Sequence, residues 1–203
     1  MKQRVKKLWL LMNVIRSIPA ILSLYISKDS LIIKKDIERW IDIKIPAQRS
    51  LSPWFNLHWL ILNSHEFRNL FYYRIKRHNL LLAQFLKVFY SPLNTLYIYT
   101  PDIGPGLYIQ HGFSTIISAK KIGKNCSINQ QVTIGYTEKG NPVIGDNVLI
   151  TSGAKVFGGI NIGNNSKVGA NCVVVKDVPS NCTVVGIPAR IVKQDGERVN
   201  RPL

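Results

Sequence analysis

The residue best suited to move a proton in this sequence is His111, within the stretch GLYIQHGF (Gly106–Phe113). It is the only histidine in the second half of the chain. A neutral imidazole accepts a proton near neutral pH, so it can activate a hydroxyl group as a general base. His111 is therefore the candidate catalytic residue, provided that the fold exposes it.

The three cysteines, Cys126, Cys172 and Cys182, offer a second kind of chemistry. They form neither a CxxC pair nor any other close pair typical of metal sites. An odd number of cysteines favours a reducing compartment. Each also lies two residues before a repeated aliphatic position, which predicts small core residues rather than metal or redox chemistry.

That repeat runs through the second half of the chain with a period of six residues, apart from one extra residue before Ile116 and breaks after Ile134 and Val174. Glycine often follows the aliphatic residue. Short strands joined by tight turns and stacked in coils would bury one aliphatic side chain per hexad. We predict that the following side chains point inward: Ile103, Ile109, Ile116, Ile122, Ile128, Ile134, Ile144, Ile150, Val156, Ile162, Val168, Val174 and Val184. The same register predicts that His111, two residues after Ile109, projects outward.

The first half of the chain has a different composition and reads as helical. All fourteen glycines follow residue 103, and all four tryptophans precede it. Helical spacing of apolar residues recurs in Lys34–Lys44 and Glu66–Tyr90, and Ser64 is placed to cap the second helix. We predict a basic α-helical domain over residues 1–97, a β-helix over 98–193 and a C-terminal tail over 194–203.

The charge of the chain points to a negatively charged partner. The net charge is +16, of which +11 falls on residues 1–100. A solvated basic face explains this excess equally well, but interleaved aromatic and basic residues favour contact with an anionic membrane. No recognised nucleic-acid motif is present, so we expect no nucleic-acid partner.

The apolar run at residues 8–26 does not read as a secretory signal or a membrane span. Asn13, Arg16, Ser17 and Pro19 interrupt it, and no small-residue cleavage site follows. We therefore expect a cytoplasmic protein, either free or peripheral at the inner face of the membrane.

The hexads and the closing segment VGANCVVVKDVPSNCTVVGIPARIVK (Val168–Lys193) resemble the hexapeptide-repeat acetyltransferases. The nearest pattern is the serine-acetyltransferase-like branch, and within it the polysaccharide O-acetyltransferases of surface-glycan clusters. The resemblance covers roughly residues 98–193. It implies a left-handed parallel β-helix, acetyl-CoA as co-substrate, no metal and a homotrimer.

The resemblance also implies roles for individual residues. Small residues would leave room for the pantetheine arm of CoA, and cations would pair with its phosphates. The positions that match the acetyl-CoA site of the family are Ser152, Ala170, Val175, Lys176, Arg190 and Lys193. His111 matches the catalytic histidine, ahead of a hexad similar to Val132–Gly135.

Three positions depart from the serine acetyltransferase pattern. Leu96 and Gln110 stand where that family has aspartates, and Asn141 stands where it has a second histidine. These departures favour a saccharide acceptor, acidic or lipid-linked, for O-acetylation, with L-serine as the alternative. A loop that interrupts the hexads (Gly135–Val143) contains the candidate acceptor contacts Tyr136, Lys139 and Asn141, although a plain surface insertion explains it as well.

Other readings of the repeat fit less well. A zinc enzyme of this fold needs three histidines around one metal, and the repeat contains one. Sugar nucleotidyltransferases carry a glycine-rich loop in their first domain, and this first half has no glycine. A β-helix scaffold without catalysis remains the non-enzyme alternative.

Overall fold

The structure, a computed structural model, describes residues 12–203. The chain divides into two units, Met1–Pro92 and Leu93–Leu203. Residues 8–11 of the predicted apolar run lie outside the described residues, and the remainder of that run is helical. None of the described helices is long and apolar enough to cross a lipid bilayer.

The first unit is built from helices, as predicted. Their bounds are α1 (Val14–Ile26), α2 (Ser30–Lys44), α3 (Pro53–Asn63), α4 (His65–Lys76) and α5 (Leu80–Phe89), with a short 3-10 turn at Pro46–Gln48.

The prediction of one helix over Glu66–Tyr90 is wrong, because α4 and α5 are separate. The side chain of Asn79 accepts a hydrogen bond from the Leu82 amide at 2.9 Å and so caps a new helix. Ser64 does occupy the position before α4, but its side chain makes no capping bond. Ser64 therefore occupies the predicted N-cap position, but the prediction that its side chain caps the helix is wrong.

The core of the helical unit combines aromatic packing with an ion pair. The rings of Trp40 and Phe67 meet edge to face with their centroids 5.2 Å apart. Arg74 Nε lies 2.9 Å from Asp36 Oδ2, and both side chains are almost fully buried. This pair ties α2 to α4, because two buried opposite charges stabilise each other where water is excluded.

The second unit is a coil of short strands in three sheets. The first sheet contains β1 (Leu96–Ile98), β3 (Thr115–Ile117), β6 (Thr133–Gly135), β9 (Lys155–Phe157) and β12 (Val173–Val174). The second contains β4 (Lys121–Ile122), β7 (Val143–Ile144) and β10 (Asn161–Ile162). The third contains β2 (Tyr108–Gln110), β5 (Ser127–Asn129), β8 (Leu149–Ile150), β11 (Lys167–Val168), β13 (Cys182–Val185), β14 (Arg190–Gln194) and β15 (Glu197–Pro202).

Strands within each sheet pair in parallel up to β13, and β14 and β15 then extend the third sheet as antiparallel strands. The predicted fold class is confirmed: a left-handed parallel β-helix of about five turns follows a helical region.

The predicted inward register is correct except at one position. Ile116 is 39% exposed, and Ile117 is fully buried in its place. The backbone is left-handed at both His111 (φ 63°) and Ser114 (φ 51°) in the corner before β3. This wider corner separates the inward Ile109 and Ile117 by eight residues instead of six. The six-residue period of the sequence does not show that the extra residues lie in the corner rather than in a strand.

Candidate functional site

One edge of the β-helix, where the third sheet turns into the first, brings predicted site residues into a column. We call this edge the first corner; it comprises residues 111–114, 130–132, 151–154 and 169–172, and residues 186–189, which join β13 to β14, stack on its upper end through the bond from Val173 N to Gly186 O. Backbone hydrogen bonds stack the successive turns, from Gln131 N to Phe113 O at 3.0 Å and from Asn171 N to Ser152 O at 2.9 Å. Residues far apart in sequence therefore line one edge of the β-helix.

His111 lies in the turn of this corner that precedes β3. Its side chain is exposed, and its left-handed backbone turns it away from the core. Within the part of the chain that the structure describes, no side-chain hydrogen bond holds the imidazole. The ring is thus free to accept a proton from a bound molecule.

Ser152 and Ala170 occupy the same corner in higher turns. Neighbouring strands are about 4.8 Å apart, so the turn of Ser152, two strands above that of His111, lies roughly 10 Å along the edge. Next to Ser152, a Cβ on Gly153 would approach Asn171 Oδ1 to 2.0 Å. Glycine is favoured there because the backbone of Gly153 is left-handed (φ 73°), a conformation that other residues adopt at a cost.

Arg190 and Lys193 lie at the upper end of the β-helix, on β14. Arg190 pairs in register with Val185, next to residues 186–189 at the upper end of the first corner. Its Nε and Nη2 donate to Asn200 Oδ1 at 3.1 and 3.0 Å. Both cationic side chains are exposed and accessible to an anion.

Val175 and Lys176 lie on the opposite edge of the first sheet, at the turn that follows β12. We call this edge the second corner. Lys176 Nζ donates to the Leu203 backbone oxygen at 2.9 Å. The structure therefore groups His111, Ser152 and Ala170 on one edge and separates Val175 and Lys176 from them by the width of that sheet.

The loop with the candidate acceptor contacts also belongs to the second corner. Tyr136 is 72% exposed, and Lys139 is exposed as well. The amide group of Asn141, in contrast, donates to the Ser118 carbonyl at 2.8 Å. Asn141 thus holds the loop against the preceding turn. Of its side-chain amide, only the oxygen is left to contact an acceptor substrate.

Neither of the family's aspartate positions can orient His111. Leu96 is 4% exposed and apolar, and Gln110 is exposed and uncharged. Asp102, the nearest acidic residue in sequence, forms an exposed ion pair with Lys121 at 3.3 Å. The orientation of the imidazole must come from another source.

Gln130 is a candidate that the sequence analysis missed. It lies in the first corner, in the turn next to that of His111, and Gly153 N donates to its backbone oxygen at 3.1 Å. Its side-chain Oε1 is buried and has no hydrogen-bond partner among the described residues. A buried acceptor without a partner is costly, and sequence pattern alone does not distinguish it from an ordinary surface glutamine.

The cysteines take no part in this site. All three are buried and unpaired by disulfide, as the register predicted. Burial raises the pKa of the Cys172 and Cys182 thiols, which keeps them protonated and unreactive. Among residues 12–203, no group of three histidine, cysteine, aspartate or glutamate side chains could hold a metal ion.

Comparison with known proteins supports the predicted resemblance. No family model matches the chain. A serine acetyltransferase of Staphylococcus aureus (strain Mu50) is 54% identical over 104 residues, which are 49% of this chain and 49% of that protein. The chain thus matches about half the length of the curated relatives.

Solved structures extend the match to more of the chain. Serine acetyltransferase of Neisseria gonorrhoeae in complex with serine is 30% identical, with a TM-score of 0.63 over 86% of this chain and 72% of that chain. This chain belongs to the serine acetyltransferase family. The family's enzyme from Brucella abortus strain S19, in complex with coenzyme A, is 26% identical, with a TM-score of 0.59 over 84% of this chain and 69% of that chain.

The family assignment confirms the predicted hexapeptide-repeat resemblance. The narrower likeness to polysaccharide O-acetyltransferases finds no counterpart among these relatives and stays a prediction.

Proposed function

We propose that this chain is an acetyl-CoA-dependent O-acetyltransferase in which His111 is the general base. The observation that carries the proposal is the exposed, unbonded imidazole on the same corner as Ser152 and Ala170, in a member of the serine acetyltransferase family. We assign the chemistry to residues 98–193, with residues 1–97 and 194–203 flanking them.

The reaction requires one proton to move twice. A ring nitrogen of His111 removes the proton from the acceptor hydroxyl, and the hydroxyl oxygen forms an ester bond to the acetyl carbon. The bond between that carbon and the sulfur of CoA breaks at the same time. The proton held on His111 then passes to the departing thiolate.

The first corner would hold the donor along its length. Ser152 and Ala170 are small enough to let the thin pantetheine arm approach the backbone, and Arg190 and Lys193 supply cations for the phosphates at the upper end. Val175 and Lys176, on the second corner, would contact the donor where a neighbouring copy closes the groove. This arrangement belongs to the homotrimer that we propose for the chain.

L-Serine is the acceptor that the relatives favour. The Neisseria gonorrhoeae enzyme was solved with serine bound. Tyr136 and Lys139 project from the loop at the second corner, and with the oxygen of Asn141 they form the candidate contacts for this acceptor.

A saccharide is the second candidate acceptor, and one observation favours it. The rings of Tyr97 and Tyr99 stack at 6.1 Å with 10° between their planes, and both are exposed on β1 or just after it. Flat exposed aromatic faces offer an apolar platform for a sugar ring. Leu96, beside them, replaces an aspartate of the serine enzymes.

Acetyl-CoA turnover with each acceptor tests the proposal. We expect thiol release from acetyl-CoA with L-serine, and His111→Ala should lower kcat/KM by about 100- to 10,000-fold because the base is lost. The matched control is His65→Ala, an exposed histidine at the start of α4, which should leave turnover unchanged. Turnover with capsule-type oligosaccharides but not with serine would select the second candidate.

The inactive-scaffold alternative predicts a different result. Neither acceptor would then be acetylated, and His111→Ala would behave like the parent protein in every assay. Unchanged turnover in the His111 variant of an active enzyme would remove His111 from the mechanism.

The proposal includes peripheral contact with an anionic membrane through the basic helical unit. Such contact would keep the enzyme near a lipid-linked acceptor, if the acceptor is a saccharide.

A further inference from the structure

Helix α1 buries three small side chains and Leu24, and it exposes several large apolar side chains on its other side. Ser17 and Ser23 are fully buried, and Ala20 is 5% exposed. On the other side, Ile15 is 78% exposed, Leu22 58% and Ile26 72%. An ordinary surface helix has the opposite arrangement, with its apolar stripe against the core.

Hydrogen bonds fix α1 in this rotation. Ser17 Oγ lies 2.8 Å from His58 Nδ1 and 3.0 Å from the Tyr90 hydroxyl. Rolling the helix to bury Ile15 or Leu22 would break both contacts and expose polar partners that are otherwise buried. The outward apolar side is therefore a fixed feature of the helical unit.

Helix α5 likewise exposes large apolar side chains on the side away from its buried residues. Ala83 and Leu86 are its buried residues. Leu81 is 82% exposed, Phe85 52% and Val88 78%, at the spacing of one helical face.

The two helices lie side by side and antiparallel. At one end, Arg16 Nη2 donates to the Phe89 carbonyl, and at the other, His78 Nε2 lies 3.2 Å from Asp29 Oδ1. Both helices pack their buried sides, which include Leu24 and Leu86, against the core of the helical unit, so their exposed apolar sides face outward next to each other. We call this surface the α1–α5 face: Ile15, Leu22, Ile26, Leu81, Phe85 and Val88.

Exposed basic residues border the α1–α5 face, whereas Asp29, the acidic residue that follows α1, is buried against His78. Neither α1 nor α5 contains an aspartate or a glutamate. Lys28 and Lys76 are exposed near the end where α1 finishes and α5 begins, and Lys87 lies in the last turn of α5. A second copy docked face to face would bring two basic rims together. An anionic lipid surface complements the rim and the apolar centre at once.

We propose that the α1–α5 face docks on an anionic lipid bilayer, with both helices lying in the plane of its surface. The apolar side chains enter the boundary between headgroups and acyl chains, and the lysines contact the headgroups. The inference rests on the peripheral attachment proposed above, and it is independent of the chemistry at His111.

Co-sedimentation of the full chain with vesicles tests this docking. The probes are vesicles of phosphatidylcholine alone and of an equal mixture of phosphatidylcholine and phosphatidylglycerol. We expect binding to the mixed vesicles, at least about tenfold weaker binding for Phe85→Gln combined with Val88→Gln, and partial loss at high salt. The matched control is Ile43→Gln combined with Leu51→Gln, two exposed apolar residues outside the face, which should bind like the parent protein.

A second variant keeps the test valid if the double glutamine variant fails to fold. Lys28→Glu with Lys76→Glu changes only exposed charges, and it should weaken binding to the mixed vesicles without altering the circular dichroism spectrum.

Three results would overturn the docking inference. The first is that the protein does not bind mixed vesicles but self-associates, and that Phe85→Gln combined with Val88→Gln abolishes this self-association. The α1–α5 face would then be a protein interface. The second is vesicle binding that the face variants leave intact. The third is an equal loss of vesicle binding in the control variant, Ile43→Gln combined with Leu51→Gln. Acetyl transfer to a soluble acceptor, measured on the same variants, separates these results from failure of the enzymatic proposal, because docking variants should retain it.

Discussion

At the scale of single residues, His111 combines exposure with an unusual backbone. A left-handed conformation in a residue other than glycine costs about 1 kcal/mol, so its presence (φ 63°) marks a turn that the fold enforces. The turn directs the imidazole outward, as the role of general base that we propose for His111 requires. Neither Leu96 nor Gln110, at the positions where the serine enzymes have aspartates, supplies a carboxylate to hold it.

The donor groove can be tested at Ala170. Ala170→Trp places a large ring in the first corner, and it should raise KM for acetyl-CoA by about tenfold or more, equal to about 1.4 kcal/mol of lost binding. Steady-state kinetics with varied acetyl-CoA measures the effect.

Ser180→Trp is the matched control for Ala170→Trp. Ser180 is also exposed on a turn of the β-helix, but it lies on neither the first nor the second corner. Equal changes in KM for the two variants would mean that the first corner does not hold the donor.

At the scale of secondary-structure elements, different interactions stabilise the inside of each unit. In the β-helix, each turn repeats the hydrogen bonds of the last, and left-handed asparagines form a ladder on one corner. Asn147 Nδ2 donates to Asn165 Oδ1 and Asn165 Nδ2 to Asn181 Oδ1, both at 3.0 Å. In the helical unit, single long-range contacts such as Asp36–Arg74 decide how helices meet.

The buried ion pair makes a sharp stability prediction. Arg74→Met leaves the Asp36 carboxylate buried without its partner, so the free energy of unfolding should fall by about 3–5 kcal/mol. Urea denaturation followed by circular dichroism measures the change.

The exposed pair between Arg49 and Asp42, at 3.3 Å, provides the comparison. Arg49→Met should cost at most about 1 kcal/mol, because solvent screens that pair. Similar losses in the two variants would show that Asp36–Arg74 contributes no more than a surface contact.

At the scale of the whole molecule, charge and chemistry are divided between the units. Residues 1–100 carry most of the net charge of +16, whereas the candidate site lies within residues 111–193. This division is consistent with our proposals that the helical unit contacts the membrane and that the β-helix performs acetyl transfer.

The proposed homotrimer predicts a defined particle mass. Sedimentation equilibrium should give an assembly of three chains of 23.0 kDa, or a multiple of that trimer. A monomer at micromolar concentration would contradict the proposal that a neighbouring copy closes the donor groove, and Val175 and Lys176 would then lose their assigned role.

The sequence by itself determined the β-helix and the placement of its core. A six-residue period constrains every turn in the same way, so twelve of the thirteen predicted inward positions are buried. Ile116 is the exception, because the corner before β3 contains two residues more than the period of six predicts, and this shifts the inward position to Ile117. The outward exposure of His111 and the inward cysteines followed from the same register.

Only the tertiary structure decided how site residues group and which helix faces are exposed. It put Ser152 and Ala170 on the edge of His111, placed Lys176 on the other edge and divided the helix predicted over Glu66–Tyr90 at Asn79. It also turned α1 so that serines are buried and isoleucines exposed. The reason is that these outcomes depend on single contacts between distant residues, such as Ser17 with His58 and Tyr90, and no local pattern encodes such contacts.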